Sequence, residues 1–331
     1  MVFVIGAVAS AWPAVAEVAR YVRIGTGPIG GSYFPVGGLI ANTVSGPPGS
    51  TACAAGGSCG VPGLIVTAIS TQGSVDNVQQ LAKGSVEFAM CQADVAHDAW
   101  AGADSFAGRP VATLRAVAHL FPEALHVVVR RGDKPAGVRD LKRRRVGLGE
   151  TNSGTLETAR AVLRGFGLGL NQIAPVFEKP TRSADELVAG DLDAFFLVGG
   201  EPVVAIALAA ERTPIALLPI AGRDAERILR AEPLLSATTI PADTYAGVPA
   251  TPTIAVGAQL LVREAVPDDL VYALTRALWE PRNRRVLDAG GPIGRRIRPQ
   301  SALDRLGVPL HPGARRWYEE AGMLSAAETT K

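Results

Sequence analysis

The chain has 331 residues, 47% of them hydrophobic and 19% charged, with a formal net charge of +2. That length and apolar content support a packed core and more than one domain, and they exclude a disordered chain. So small a charge, with aromatics at 5%, supplies no basic, base-stacking surface, so nucleic acid is not an expected partner.

Residues 1–16, MVFVIGAVASAWPAVA, carry no charge and end in Ala14-Val15-Ala16, the small-x-small form of a signal peptidase site. They read as an export signal to the periplasm, because the run is too short to span a bilayer. Tyr21, Val22 and Ile24 then lead into the glycine cluster IGTGPIGGSY at 24–33 and a helix with Val36, Leu39, Ile40 and Val44 on one face. Glycines let another molecule approach bare backbone, and the free N–H groups of the helix start favour an anionic group. Gly25, Gly27 and Gly30 also spell GxGxxG, which would make the chain an NAD-dependent oxidoreductase. That fingerprint requires an acidic residue about twenty positions on, where this chain has SGPPGSTAC.

Cys53 and Cys59 lie six positions apart in a Gly/Pro-rich loop, an arrangement that invites a disulfide in an exported protein. The four histidines are scattered, so no metal site is expected. Cys91, after Val86, Phe88 and Met90, reads as a small buried side chain. Gly56-Gly57-Ser58-Cys59-Gly60 copies the GxSxG nucleophile elbow but lies inside a loop, whereas an elbow joins a strand to a helix.

LIVTAI at 64–69 predicts a strand, followed by STQGS and a helix with Val75, Val78 and Leu81 on its core side. Val86 to Met90 form a further strand before CQAD, where Asp94 is placed to cap the helix containing Ala96 and Trp100. Three such units bring IGTGPIGGSY, STQGS and CQAD to the carboxyl ends of the strands, where α/β sheets bind ligands. From Leu114, LRAVAHL and HVVVRR read as two strands, and RVGLGE with TNSGT restarts the pattern before a helix carrying Leu156, Ala159 and Leu163. Ser183 and Glu186 spell a capping box, DAFFLVGG at 193–200 a buried strand, and TPTIAVGAQLLV at 251–262 a long apolar one. Glu150 has no His or second acid at motif spacing and reads as a solvated loop carboxylate. No catalytic residue is identified.

The stretches IGTGPIGGSYFPVGG, STQGSVDNV, CQADVA, RVGLGETNSGT, FFLVGG and LHPGARRWYEEAGML, in that order, resemble the TAXI family of TRAP-transporter solute receptors. The resemblance implies an α/β, type II periplasmic-binding fold: two α/β domains joined by a two-stranded hinge, with the ligand cleft between them. Domain I would comprise 17–127 and 253–331, and domain II 128–252. The long apolar runs near His126–Arg130 and Thr253–Leu260 are the expected hinge strands. The resemblance also implies no enzymatic activity and no cofactor, a small carboxylate solute that is glutamate-like or a dicarboxylate, and a TRAP-type integral-membrane permease as partner. A periplasmic sensor with the same fold is the alternative.

Carried over by position, the ligand-binding residues are Gly31, Ser32, Tyr33, Ser70, Gly73, Ser74, Asn77 and Gln92 from domain I. Domain II would supply Ser153, Gly154, Thr155, Phe196, Val198 and Gly199. Gln72-Gly73-Ser74, Asn152 to Thr155 and Phe196 to Gly199 depart from the family's GGS, GSGT and Tyr-Thr-Val-Gly. These loops offer amides, hydroxyls and helix starts without Arg or Lys, which suits a carboxylate held by neutral donors.

Overall fold

The computed structural model describes residues 18–133 and 135–324; the export signal read in residues 1–16 lies outside them. Short apolar, β-rich runs give β1 (Arg20–Gly25), β2 (Leu64–Ile69) and β3 (Phe88–Gln92). Each is followed by a helix: α1 (Tyr33–Val44), α2 (Ser74–Lys83) and α3 (Ala93–Ala101). β1 pairs in parallel with β2 and β3, as helical crossovers require. All five residues of β3 are buried because helices cover both faces of the sheet.

A long strand, β4 (Leu114–Arg130), then leaves this half. The second half repeats the alternation: β5 (Arg145–Gly147), α4 (Gly154–Gly165), β6 (Ala174–Val176), α5 (Pro180–Ala189), β7 (Ala194–Gly199), α6 (Val204–Arg212), β8 (Ile215–Leu217), α7 (Gly222–Ala231) and β9 (Ser236–Ile240). The chain returns through β10 (Thr251–Arg263) and ends in α8 (Asp268–Leu278), α9 (Arg284–Ala289), α10 (Gly291–Arg296) and α11 (Pro312–Glu320). None of the described helices is long and apolar enough to cross a membrane.

Side by side the strands run β2-β1-β3-β10-β4-β7-β5-β6, with β8 beside the end of β4 and β9 beside β10. Each half therefore has the same plan. Three parallel strands, β2-β1-β3 or β6-β5-β7, are followed by an antiparallel strand arriving from the other half, β10 or β4. This is the type II periplasmic-binding arrangement. Ile24, Ile40, Phe88 and Leu270 pack in one core, and Val146, Leu156, Phe196 and Ile228 in another.

Three local expectations are corrected. Leu114 to Arg130 is one strand, and the chain passes between halves at Phe121–Ala124 and Ala255–Ala258, where β4 and β10 pair. His126 to Val129 are already paired with β7 inside the second half, so the crossover precedes the expected His126–Arg130. Pro180 starts α5, its fixed φ suiting the first turn, and Ser183 and Glu186 lie within that helix and do not cap it. At α3 the residue before the helix is Gln92; Asp94 is the second residue of the helix, its carboxylate accepting from the Val95 N–H at 2.8 Å.

Cys53 and Cys59 are bonded to each other, while Cys91 is free and buried. Asn283 anchors the loop by donating from Nδ2 to the carbonyls of Thr43 (3.1 Å) and Cys59 (3.3 Å). Peptide mapping without reductant is expected to recover one Cys53–Cys59 linked fragment and an alkylatable Cys91 only after unfolding. A loop this short contributes about 2 kcal/mol, so reduction should lower the melting temperature without unfolding the protein at room temperature.

Candidate functional site

The carboxyl ends of β1, β2 and β3 face those of β5, β6 and β7 across the gap between the halves, and a cavity of about 50 Å³ lies between them. At roughly 10–15 Å³ per enclosed water it holds about four. From the first half it is lined by Gly27, Pro28, Gly31, Ser32, Tyr33, Gln72, Gly73, Ser74 and Gln92. Glu123 lines it from the crossing strand, and the second half adds Gly149, Glu150, Ser153, Gly154, Thr155, Glu178, Pro180, Ser183 and Phe196 to Val198.

Of the fourteen residues carried over from the resemblance, Ser70, Asn77 and Gly199 are not on this wall. They sit behind it. The Ser70 hydroxyl donates to the Gly27 carbonyl at 3.1 Å, and Asn77 Nδ2 to those of Thr26 (2.6 Å) and Met90 (2.7 Å), so both brace the glycine loop. A Cβ at Gly199 would stand 2.7 Å from Ser32 Oγ, which makes that glycine a point of close approach. Ser153 is on the wall, yet its hydroxyl accepts from the Leu156 N–H and donates to the Glu150 carbonyl, the bonds of a helix N-cap. Thr155 Oγ1 accepts from the Val198 N–H at 3.2 Å, leaving its proton free to point elsewhere.

The halves touch through a small set of polar contacts around the cavity. The Asp76 N–H donates to the Asn152 carbonyl (3.1 Å), Asn152 Nδ2 to Gln72 Oε1 (3.2 Å) and the Ala205 N–H to the Gly30 carbonyl (3.2 Å). Ser32 Oγ donates to the Gly200 carbonyl (3.2 Å), and Arg296 pairs with Glu201 at 2.9 Å. The approach is closest at Gly154, where a Cβ would stand 2.1 Å from Gln92 Oε1 and 2.7 Å from Ser74 Oγ. Such a sparse seam, set against two separate cores, is the geometry of a closed hinge.

The carboxyl groups on the wall were not legible as site residues. Glu123 is 2% exposed, and its Oε2 accepts from the Tyr33 hydroxyl at 2.7 Å. Burial pushes its pKa up to about 8, with the charges of Asp94 and Glu201 adding to the shift and the Tyr33 hydrogen bond opposing it. Burial also raises Glu150, Asp76 adding to the shift and Lys179 opposing it. Glu150 is thus not a solvated loop carboxylate; its Oε2, like that of Glu178, is buried without a hydrogen-bond partner. One signal was available for Glu123: an acid inside the apolar run LFPEALHVVV, part of a 17-residue strand.

These shifts fix a pH dependence of stability. Glu123 (about 8), Asp94 (about 7, chiefly from burial) and Asp98 (about 6) bind protons more tightly folded than unfolded. Their contribution is fully present below their unfolded values near 4 and is lost as pH rises through 6 to 8. His119, His126 and His311, lowered by burial, act in reverse, losing stability as pH falls below about 6.5. The solute-free protein should therefore melt lower at pH 8.5 than at pH 6; scanning calorimetry showing a higher melting temperature at pH 8.5 would refute the assignment of buried neutral acids.

The structure of a protein from Bordetella bronchiseptica RB50 superposes with a TM-score of 0.51 at 17% identity, covering 94% of this chain and 84% of that one. The periplasmic aliphatic sulphonate binding protein SsuA from Escherichia coli gives 0.45 at 15% identity, over 91% and 83%. The alkanesulfonate-binding protein SsuA from Xanthomonas axonopodis pv. citri, bound to MOPS, gives 0.45 at 16% identity, over 95% and 82%. In sequence, the NMT1-like family matches residues 24–322, which takes in both halves and every wall of the cleft. The chain belongs to the NMT1-like family.

Proposed function

We propose that the chain is an exported, periplasmic solute-binding receptor that captures a small carboxylate-bearing solute and delivers it to a membrane permease, of the TRAP type that the TAXI resemblance implies. One observation carries the reading: the N-terminal ends of α1, α2 and α4 converge on one cavity between two halves joined by two strands. Free N–H groups at helix starts suit a carboxylate. The boundaries that the resemblance implies, 17–127 with 253–331 and 128–252, would divide it into two domains within a few residues of the crossover at Phe121–Ala124 and Ala255–Ala258. Capture and delivery of a solute require no catalytic residue and no cofactor.

A dinucleotide-dependent oxidoreductase is disfavoured by the sequence after the glycine loop, which has SGPPGSTAC where the fingerprint requires an acidic residue. Isothermal titration with a panel of small carboxylates, and with NAD in parallel, tests the choice. Micromolar or tighter binding of at least one carboxylate is expected; NAD binding with no carboxylate binding would overturn the receptor. A sensor with this fold would bind the same solute, and uptake by vesicles containing the TRAP-type permease separates the two.

A further inference from the structure

The net charge of +2 is unevenly spread: from Arg276 to Arg298 seven arginines stand against two acids. This stretch holds the end of α8, α9 and α10, and the buried Leu287 and Ile297 fix it to the core of the first half. Both acids are already engaged. Asp288 pairs with Arg284 at 2.7 Å, and the half-buried Glu280 accepts from the Arg282 N–H at 3.4 Å. Arg284 also donates to the carbonyls of Gly294 and Ile297, tying α9 to α10, and Arg296 pairs with Glu201. Arg276, Arg282, Arg285, Arg295 and Arg298 remain exposed and pair with no acid among the described residues.

Most of these arginines are neighbours in space. Arg276 and Glu280 line a depression beside the Cys53–Cys59 loop, Arg282 and Arg285 line a second against the same two cysteines, and Glu280 and Arg298 line a third. The three depressions adjoin, because the cysteines are common to the first two and Glu280 to the first and third. Arg282 Nη1 lies 3.3 Å from Cys53 Sγ, which holds that side chain at the loop. The face carries charge without an apolar anchor, since the exposed large hydrophobics among the described residues, such as Trp100, Phe177 and Leu208, all lie outside this stretch and the cysteine loop. None of its arginines lines the cleft, so it is available with the cleft empty or filled.

A protein partner's interface centres on apolar and aromatic anchors, which this face does not offer. A fluid anionic surface requires only positive charge within a Debye length of it. Guanidinium groups pair with phosphate oxygens two at a time. We propose that the face formed by Arg276, Arg282, Arg285 and Arg298 binds the surface of an anionic phospholipid bilayer, which would concentrate the receptor beside its permease. The inference goes beyond the receptor reading and uses no residue of the cleft, so it stands or falls separately from the identity of the solute.

Sedimentation of the full chain with vesicles tests it. At about 0.05 M salt the chain should pellet with phosphatidylcholine vesicles containing about 30% phosphatidylglycerol but not with phosphatidylcholine alone, and about 0.5 M salt should release it. Each basic group near such a surface is worth roughly five-fold in affinity, so Arg282→Gln, Arg285→Gln and Arg298→Gln together should weaken binding roughly a hundred-fold. Lys142→Gln, Arg145→Gln and Arg223→Gln remove the same charge from exposed positions of the second half and should weaken it less than about three-fold, because they lie away from the bound face. Both triple variants change exposed side chains and should melt as the parent does. No pelleting on the anionic vesicles, pelleting that survives high salt, or equal losses in the two triple variants would overturn the proposal. Binding of soluble polyglutamate without pelleting on vesicles would assign the face to an acidic protein and overturn the lipid.

Discussion

Gly154→Ala is expected to weaken solute binding by roughly five- to a hundred-fold, the affinity equivalent of about 1–3 kcal/mol of overpacking, while leaving both halves folded. The added Cβ meets Gln92 Oε1 at 2.1 Å and Ser74 Oγ at 2.7 Å, atoms of the opposite half. Neither yields easily. Gln92 is 3% exposed and faces Thr158 Oγ1 across the seam at 3.5 Å, and Ser74 Oγ accepts from the Gln92 N–H at 3.1 Å. The clash exists only when the halves meet, so the melting temperature of the solute-free, open protein should hardly change. Gly38→Ala, on α1 with no atom within 4 Å of the new Cβ, is the control and should bind as the parent does. Titration that finds Gly154→Ala equal to Gly38→Ala would mean the halves do not meet at this point when solute binds.

Tyr245→Phe is expected to cost stability, by about 2–6 kcal/mol. His126 Nδ1 lies 3.2 Å from the Leu197 carbonyl and so carries the proton; Nε2 accepts from the Tyr245 hydroxyl at 3.0 Å, whose oxygen accepts from the Val203 N–H at 3.0 Å. Both rings are essentially unexposed, and burial pushes the imidazole down to about 4, so the histidine is neutral in use. Removing the hydroxyl orphans a buried acceptor and a buried donor, at roughly 1–3 kcal/mol each. A drop of roughly 5–10 °C in melting temperature should follow, with weaker solute binding because Leu197 is on the cavity wall. A variant that melts like the parent would show that water replaces the hydroxyl and that the chain of bonds adds little.

The fold was legible because its signals are local. The glycine loop at 24–33, LIVTAI and the helix faces of α1, α2 and α4 follow from period and turn chemistry, and the structure places them within a residue or two. The strand joining the halves was misread as two because Pro122 and Glu123 interrupt an apolar run; a proline normally breaks a ladder, but here it lies opposite Gly257 at the crossover, where regularity matters less. The polar half of the site was read from loops that carry glycines and hydroxyls, such as Ser74 and Thr155. Its acidic half was not. Whether Glu123 or Glu178 faces solvent or a cavity depends on how two halves close, and no local pattern encodes that. Ser153 shows the reverse limit, since the sequence of a helix N-cap and that of a ligand-binding hydroxyl are the same.

The central claim is that the two halves close over one small solute. Native mass spectrometry of the full chain purified without refolding, beside Gly154→Ala purified in the same way, tests it most directly. The account predicts one adduct of a few hundred daltons or less on the parent, lost or much reduced on the variant, and fragmenting as a carboxylic acid. The same adduct in equal yield on both proteins, or a bound dinucleotide on the parent, would contradict it.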